Sequence, residues 1–203
     1  MDAPAPTAGP DEAAAWAQAW IESRRTVLPK RLAPPGPSAA ELARIVQAAG
    51  AAPDHDQLLP WRFVLVPEAA RGRLAEAFEQ ALVQRDPQAT GEQREQAREK
   101  AFRAPVLLLA VARLGGDATD VPDAERLLSL GCAVQNLLLM ATALGYASAL
   151  TSGKALGSRP LRELFALAPH EQAVCFASIG TAVGRKPGKP RPQPDRYLTR
   201  LPS

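Results

Sequence analysis

From Leu127 to Leu150 the chain reads LLSLGCAVQNLLLMATALGYASAL, with no charged residue and with apolar side chains on every side of a helical wheel. A helix that is apolar all round must be buried. The stretch is long enough to span a bilayer, so a membrane and a protein core are both open at this point. Gln135 and Asn136 adjoin in its middle, Gly131 and Gly145 interrupt it, and Tyr146 is its one aromatic. These features favour the centre of a soluble protein. Gly145-Tyr146 reads as a stop before the small, β-leaning ASALT, which predicts a helix over about 123–144 and a strand over about 146–151. Each is too short to span alone.

The rest of the pattern supplies what covers that helix. Asp11 to Ser23 is Ala-rich, with Trp16, Trp20 and Ile21 spaced to lie near one helical face. A Pro-rich connection, LAPPGP, leads to Ser38, three residues before Glu41, so a capping box opens a second helix over Ser38 to Ala49, ended by Gly50. Pro60 can begin a strand but cannot sit inside a central one, which predicts a loop over 51–60 and a strand from Trp61 to Val66. Leu74, Phe78, Ala81 and Leu82 fall at helical spacing within about 68–84. Gly91 to Arg103 is polar and reads as a solvated helix or a lid. Pro105 then opens VLLLAVA, a continuous apolar run that suits a strand covered on both faces. After a loop over 115–122 and the central helix, Ser158 is placed to cap a short helix through Phe165, and Ala173 to Ile179 is a last strand, halted by Gly180-Thr181. About four strands interleaved with about six helices make an α+β or α/β layered domain.

Composition narrows this further. With 203 residues and 46% hydrophobic content, one domain with a proper core is the expectation. It divides into a leader over 1–10, a single domain over 11–184 and a Pro-rich basic arm over 185–203. The net charge is only +3, and neither nucleic acid nor a membrane is expected as a partner. The start, MDAPAPTAGPDE, carries acid where a secretory signal carries base. Cys132 and Cys175 have neither metal nor disulfide spacing, so a cytoplasmic setting without a metal site is expected.

No dinucleotide fingerprint, phosphate loop, nucleophile elbow or H-E-x-x-H occurs, and a chain with so little chemistry of its own more often borrows a cofactor. Three places could hold one. Arg24-Arg25-Thr26 offers two guanidiniums and a hydroxyl to a phosphate; the same cations would equally complement a helix C-terminus. Asp54-His55-Asp56-Gln57 is a polar loop between prolines, which also serves as an ordinary surface turn. Thr151-Ser152-Gly153 ends a strand, where hydroxyls and backbone N–H groups could grip a ligand's polar edge.

The order and spacing of these places resemble the nitroreductase-like FMN flavoproteins, above all the compact bacterial branch of NAD(P)H nitroreductases. The matching pieces are Ser23-Arg24-Arg25-Thr26, Ala52-Pro53-Asp54-His55 through Pro60-Trp61-Arg62-Phe63, and Phe102-Arg103-Ala104-Pro105. They continue with Gly131-Cys132-Ala133-Val134-Gln135-Asn136, Gly145-Tyr146, Ser152-Gly153 and Ile179-Gly180-Thr181. The resemblance implies a three-layer α+β fold, a central mixed or antiparallel sheet flanked by helices, in an intertwined homodimer with FMN at the subunit interface. It implies that Arg24, Arg25 and Thr26 hold the phosphate and ribityl chain. Ala51 and His55, with Asp54 and Gln57, would reach the isoalloxazine from the partner subunit, and Leu150, Thr151 and Ser152 would touch the ring. The end of the central helix, 140–145, would meet the nicotinamide nucleotide. Hydride then passes from NAD(P)H through FMN, in ping-pong order, to a nitroaromatic, a quinone or a similar electron-poor acceptor, with no catalytic side chain. The alternative on the same fold is a flavin store or electron carrier that does not turn over NAD(P)H. It is motivated by Ala51, Leu150 and Thr151, where the compact branch is expected to carry a larger or basic residue, an aromatic and an arginine. The connection over 27–37 also looks longer than usual, with Lys30 and Arg31 as extra phosphate donors.

Overall fold

The computed structural model describes residues 9–115, 120–184 and 190–202. Most of the expected leader, the middle of the 115–122 loop and the first residues of the arm lie outside the described residues.

The apolar run after Pro105 forms strand β3 (Val106–Arg113), and its side chains divide by the period of two that a strand imposes. Val106, Leu108, Ala110 and Ala112 enter one core, while Leu107, Leu109 and Val111 enter the other. Both faces are covered, as a continuous apolar strand requires. β3 pairs antiparallel with β2 (Trp61–Leu65) on one side and with β5 (Glu171–Ala182) on the other. A register shift beside Ala110 and Val111 leaves Val174 without a partner and keeps Cys175 on one face and Ala173 on the other. β4 (Ala147–Thr151) adds to the far side of β5, also antiparallel. One isolated parallel bridge, Thr26 to Ser148, continues the pairing outward.

On the first face lie α2 (Ala39–Ala49) and α5 (Asp123–Ala143), which bury Ile45, Ala49, Leu130, Ala133, Leu137 and Ala141. On the second lie α3 (Arg71–Arg85), α4 (Gly91–Glu99) and α6 (Arg159–Leu164), with Leu74, Ala75, Ala81 and Leu161 in the core. The result is the expected three-layer α+β arrangement. α5 is long and apolar enough to cross a membrane by length and composition alone. Its buried side faces the sheet.

α2 begins at the expected capping box: the Glu41 backbone N–H donates to Ser38 Oγ, and the Ser38 backbone N–H donates to Glu41 Oε2 at 2.8 Å. Tyr146, just past the left-handed Gly145 that ends α5, donates its hydroxyl to the same carboxylate at 3.0 Å. The start of one helix is thereby tied to the end of the other. These bonds hold the Glu41 carboxyl below its ordinary range, Ser38 first among the causes. Arg71, buried at 4% exposure, donates to the carbonyls of Val66, Ala101 and Pro105 and so joins β2, the end of α4 and the start of β3.

Three expectations are corrected. The last strand does not halt at Gly180-Thr181 but runs to Ala182, with Gly180 paired to Ala147 and Thr181 to Ala33. Gly180 is there for space: a Cβ would lie 2.7 Å from Pro105 Cδ and 3.2 Å from the Ala33 carbonyl oxygen. A fifth strand, β1 (Leu32–Ala33), is hidden in the Pro-rich connection and pairs with the end of β5. Its two residues are too few to carry a periodic signal. Ser158 occupies the N-cap position of α6, yet its hydroxyl makes no capping bond and is buried without a partner.

Two outcomes follow from this packing. Gly180→Ala should lower the urea midpoint by the equivalent of about 1–3 kcal/mol, the usual cost of overpacking, and adding Pro105→Ala should recover part of the loss. Equal midpoints for Gly180→Ala and the native chain would reject the contact. Arg62 donates to Glu171 through Nε at 2.6 Å and Nη2 at 2.9 Å, and this holds the Glu171 carboxyl at about 2. A carboxyl whose pKa is lower in the folded state stabilises above its unfolded value, and that stabilisation is lost as pH falls through the folded value. Urea midpoints measured between about pH 4.5 and 2 should therefore fall more steeply for the native chain than for Glu171→Gln.

Candidate functional site

α1 (Pro10–Ser23) ends at Ser23, and the following Arg24-Arg25-Thr26 turns outward to the edge of β4. Val27 donates its N–H to the Ser148 carbonyl at 3.0 Å, which fixes the basic segment beside the strand that ends at Thr151. Arg24 Nη1 lies 3.5 Å from Thr26 Oγ1. Arg25 folds back and donates to the carbonyls of Glu22 and Arg24, so it also complements the helix end, as the plainer sequence reading held. A third cation arrives from the arm: Arg191 Nη2 donates to the Arg24 carbonyl at 2.7 Å. Burial, then Arg191, then Arg25 push the Arg24 guanidinium below its ordinary pKa. Among the described residues no carboxylate pairs with any of the three. Three guanidiniums held together without an anion repel one another, and a phosphate dianion would relieve that repulsion through charge-assisted bonds.

Thr151 and Ser152, at the end of β4, line a cavity of about 500 Å³. Its floor is apolar, from Leu107 of β3 and Phe176 of β5, and its outer wall is α4, which contributes Gln93 and Gln96. Pro29, three residues beyond Thr26, closes one end. The polar segment over 91–103 is thus a helix whose inner side faces the cavity. Leu150, on the opposite face of β4, is 43% exposed and pairs with Ala177. Next to it Ser148 is buried with its hydroxyl unpartnered. Lys30 and Arg31 sit in a single helical turn with Pro29.

The remaining predicted place, the loop from Asp54 to Gln57, lies elsewhere. Ala51 is exposed just past α2, and His55 and Gln57 are in a short turn held by Asp54, whose Oδ2 accepts from the Leu59 N–H at 2.7 Å. Asp56, Gln57 and Leu59 all take left-handed backbone, a conformation that non-glycine residues hold only under constraint. His55 Nδ1 is 2.9 Å from Glu125 Oε2 in the first turn of α5, and this contact raises the imidazole pKa, with Asp56 and Asp54 adding to it. A second cavity, of about 550 Å³, runs from Asp54 and His55 to Leu128 and Cys132 and shares no lining residue with the first. Glu125 and β4 belong to opposite ends of a 21-residue helix, about 30 Å long at 1.5 Å per residue. β4 runs back only five of those strand residues, about 16 Å. Within one chain the basic segment and the end of β4 are therefore brought together, and the His55 loop is not.

Sequence reasoning missed Arg191, Ser148 and the inner face of α4. For α4 a signal existed: Ala97 and Ala101 are the small apolar residues of a polar segment, and Gln93, Gln96 and Lys100 share their side. For Arg191 the signal was the basic composition of the arm, which does not say where the arm docks.

Residues 21–181 match the family model described as the nitroreductase family. A protein of Haemophilus influenzae carrying the name "Putative NAD(P)H nitroreductase" is 34% identical over 155 residues, covering 76% of this chain and 83% of its own length. Among solved structures, the nitroreductase-like family protein from Bacillus cereus superposes with a TM-score of 0.76 at 19% identity, over 91% of this chain and 95% of that one. The FMN-dependent nitroreductase NfnB from Mycobacterium smegmatis, solved in complex with NADPH, gives 0.70 at 20% identity over 93% and 99%. The sequence match spans most of the chain and the fold agrees with it: the chain belongs to the nitroreductase family.

Proposed function

We propose that the chain is an FMN-dependent NAD(P)H oxidoreductase acting as a homodimer in the cytoplasm, with FMN held between the subunits. The observation that carries this reading is the Thr26 to Ser148 bridge, which sets three anion-free guanidiniums beside the end of β4 and its cavity. Family membership and the names of the relatives point the same way. When bound, FMN supplies the redox chemistry, accepting hydride from NAD(P)H and passing it, after the nicotinamide leaves, to a nitroaromatic, a quinone or another electron-poor acceptor.

The chain's part is to bind, orient and exclude water. Arg24, Arg25 and Arg191 take the phosphate, with Thr26 along the ribityl chain. Thr151 and Ser152 donate to the polar edge of the ring, and Leu107 and Phe176 keep the floor of its cavity dry. No side chain need act as acid or base.

The missing half of the site would come from a second copy. α5 leaves a stripe uncovered, Leu128, Gly131, Gln135 and Ala143 exposed with Cys132 and Leu139 half-buried, spaced at three and four residues. Trp16 and Ile21 of α1 and Tyr197 and Leu198 of the arm are also exposed, more apolar surface than a lone soluble chain usually leaves. Two α5 helices packed antiparallel through Gly131 would carry one subunit's His55 loop toward the other subunit's β4. Ala51, His55 and Gln57 then complete the site across the interface. With Ala51, Leu150 and Thr151 small or uncharged, that face is left open to the acceptor.

Two experiments test the reading. Apoprotein titrated with FMN should bind it, and Arg24→Ala should weaken binding roughly 10- to 100-fold, the worth of one or two charge-assisted bonds. The loaded protein should bleach on anaerobic mixing with NADH or NADPH; a flavin that neither bleaches would make the chain a flavin store or carrier. Gly131→Arg is built into open space in the isolated chain. It should therefore leave the circular dichroism unchanged, give a monomer in sedimentation and release FMN. A Gly131→Arg dimer with normal FMN affinity would rule out the interface.

A further inference from the structure

We infer that the electron acceptor is an anion: an aromatic compound bearing a carboxylate, sulfonate or similar group, selected by a cationic rim around the 500 Å³ cavity. The inference rests on the reading of that cavity as the flavin-ring and acceptor site. Arg85 from the end of α3, Lys100 from the turn after α4 and Lys154 from the turn after β4 all line it, and all three are exposed at its rim. No Asp or Glu lines the cavity. A fourth cation, Arg103, reaches Glu99 at 3.9 Å, whereas Arg85, Lys100 and Lys154 pair with no carboxylate among the described residues. Three segments distant in sequence therefore converge to place unbalanced positive charge above an apolar, aromatic floor of Phe78, Leu107 and Phe176.

FMN does not account for this charge. Its one ionised group is the phosphate, and Arg24, Arg25 and Arg191 already supply three guanidiniums for it at the other edge of β4. The cavity rim is a second cationic group, and what enters the cavity after the flavin is seated must meet it. An apolar floor suits a flat ring, and a cationic rim with low-dielectric walls concentrates anions and orients their charged end outward, leaving the electron-poor end toward the flavin.

For a nitro acceptor the step balances as one hydride and one solvent proton delivered to the nitro group, one N–O bond broken, water released and a nitroso group formed, with NAD(P)H as the reductant. The charged group of the acceptor is unchanged throughout. It contributes to binding alone.

The test compares 4-nitrobenzoate with 4-nitrobenzamide, which differ little in shape and by one charge. Each is titrated into the oxidised FMN-loaded dimer while the flavin spectrum is followed, and each is mixed with protein reduced photochemically, without NAD(P)H. The anion should bind and reoxidise the protein roughly tenfold more effectively at low ionic strength, with the advantage shrinking as salt screens the rim. Arg85→Gln with Lys154→Gln should bring the two acceptors close to parity, chiefly through loss of 4-nitrobenzoate binding, while FMN content stays as in the native protein. Equal binding and reduction of both acceptors by the native protein would overturn the inference and leave the proposed function standing. So would a double variant that slows bleaching by NAD(P)H but keeps the acceptor preference, since the rim would then serve the nicotinamide nucleotide. Failure of both compounds to perturb or reoxidise the flavin would overturn the proposed function, and this inference with it.

Discussion

Everything in the fold depends on α5 being packed along one side against β3 and β5. Leu130, Ala133, Leu137 and Ala141 are essentially inaccessible there. Their small and medium volumes allow the helix to lie close to a sheet whose facing residues are themselves Ala110, Ala112 and Ala177. Three other features take their positions from this contact. α2 is fixed through Tyr146 and Glu41, the His55 loop through Glu125, and β4 by the Gly145 turn that reverses the chain. The same helix therefore sets both halves of the proposed site and the distance between them.

In the proposed reading, that distance is why the site takes residues from a second subunit. A rigid helix about 30 Å long cannot bring its two ends together. It can bring one end to the opposite end of an antiparallel twin. The uncovered stripe on α5 has what such a contact needs, a glycine at its middle for close approach and Leu128 and Leu139 to either side. Gln135, which argued against a membrane span, lies exposed on this stripe.

Charge is sorted in a way that follows from the same plan. The carboxylates that could have neutralised the cations are used elsewhere: Glu171 by Arg62, Glu79 by Arg94 and Arg98, Glu163 by Arg159. The pairing of Glu79 draws two arginines of α4 to the outer side of α3 and leaves Gln93 and Gln96 toward the cavity. Most of these pairs are partly exposed and contribute little to stability. Their larger effect is to leave the positive charge at β4 and at the cavity rim uncancelled.

How much of this could be read from the sequence depended on whether a residue's role was local. The capping box at Ser38 and Glu41, the two-sided β3 and the division of the apolar stretch at Gly145 are all set by neighbours within a few positions, and all were legible. Gly180 was misread because its reason is distant: a glycine reads as the end of a strand until Pro105 is found 75 residues away in sequence and in contact across the sheet. Ser158 has the right spacing for a cap, but its hydroxyl is buried and makes no capping bond. Arg191 was visible as part of a basic arm but its place was not, because that place is fixed by a backbone carbonyl, and a carbonyl at any position looks alike in sequence. The site follows the same division. The proposed phosphate end is a contiguous motif and could be named, whereas the cavity is assembled from α3, α4 and β4 and appears only when the three are folded together. The residues proposed to select the acceptor belong to that second kind, which is why membership of a family fixes the cofactor more tightly than it fixes the substrate.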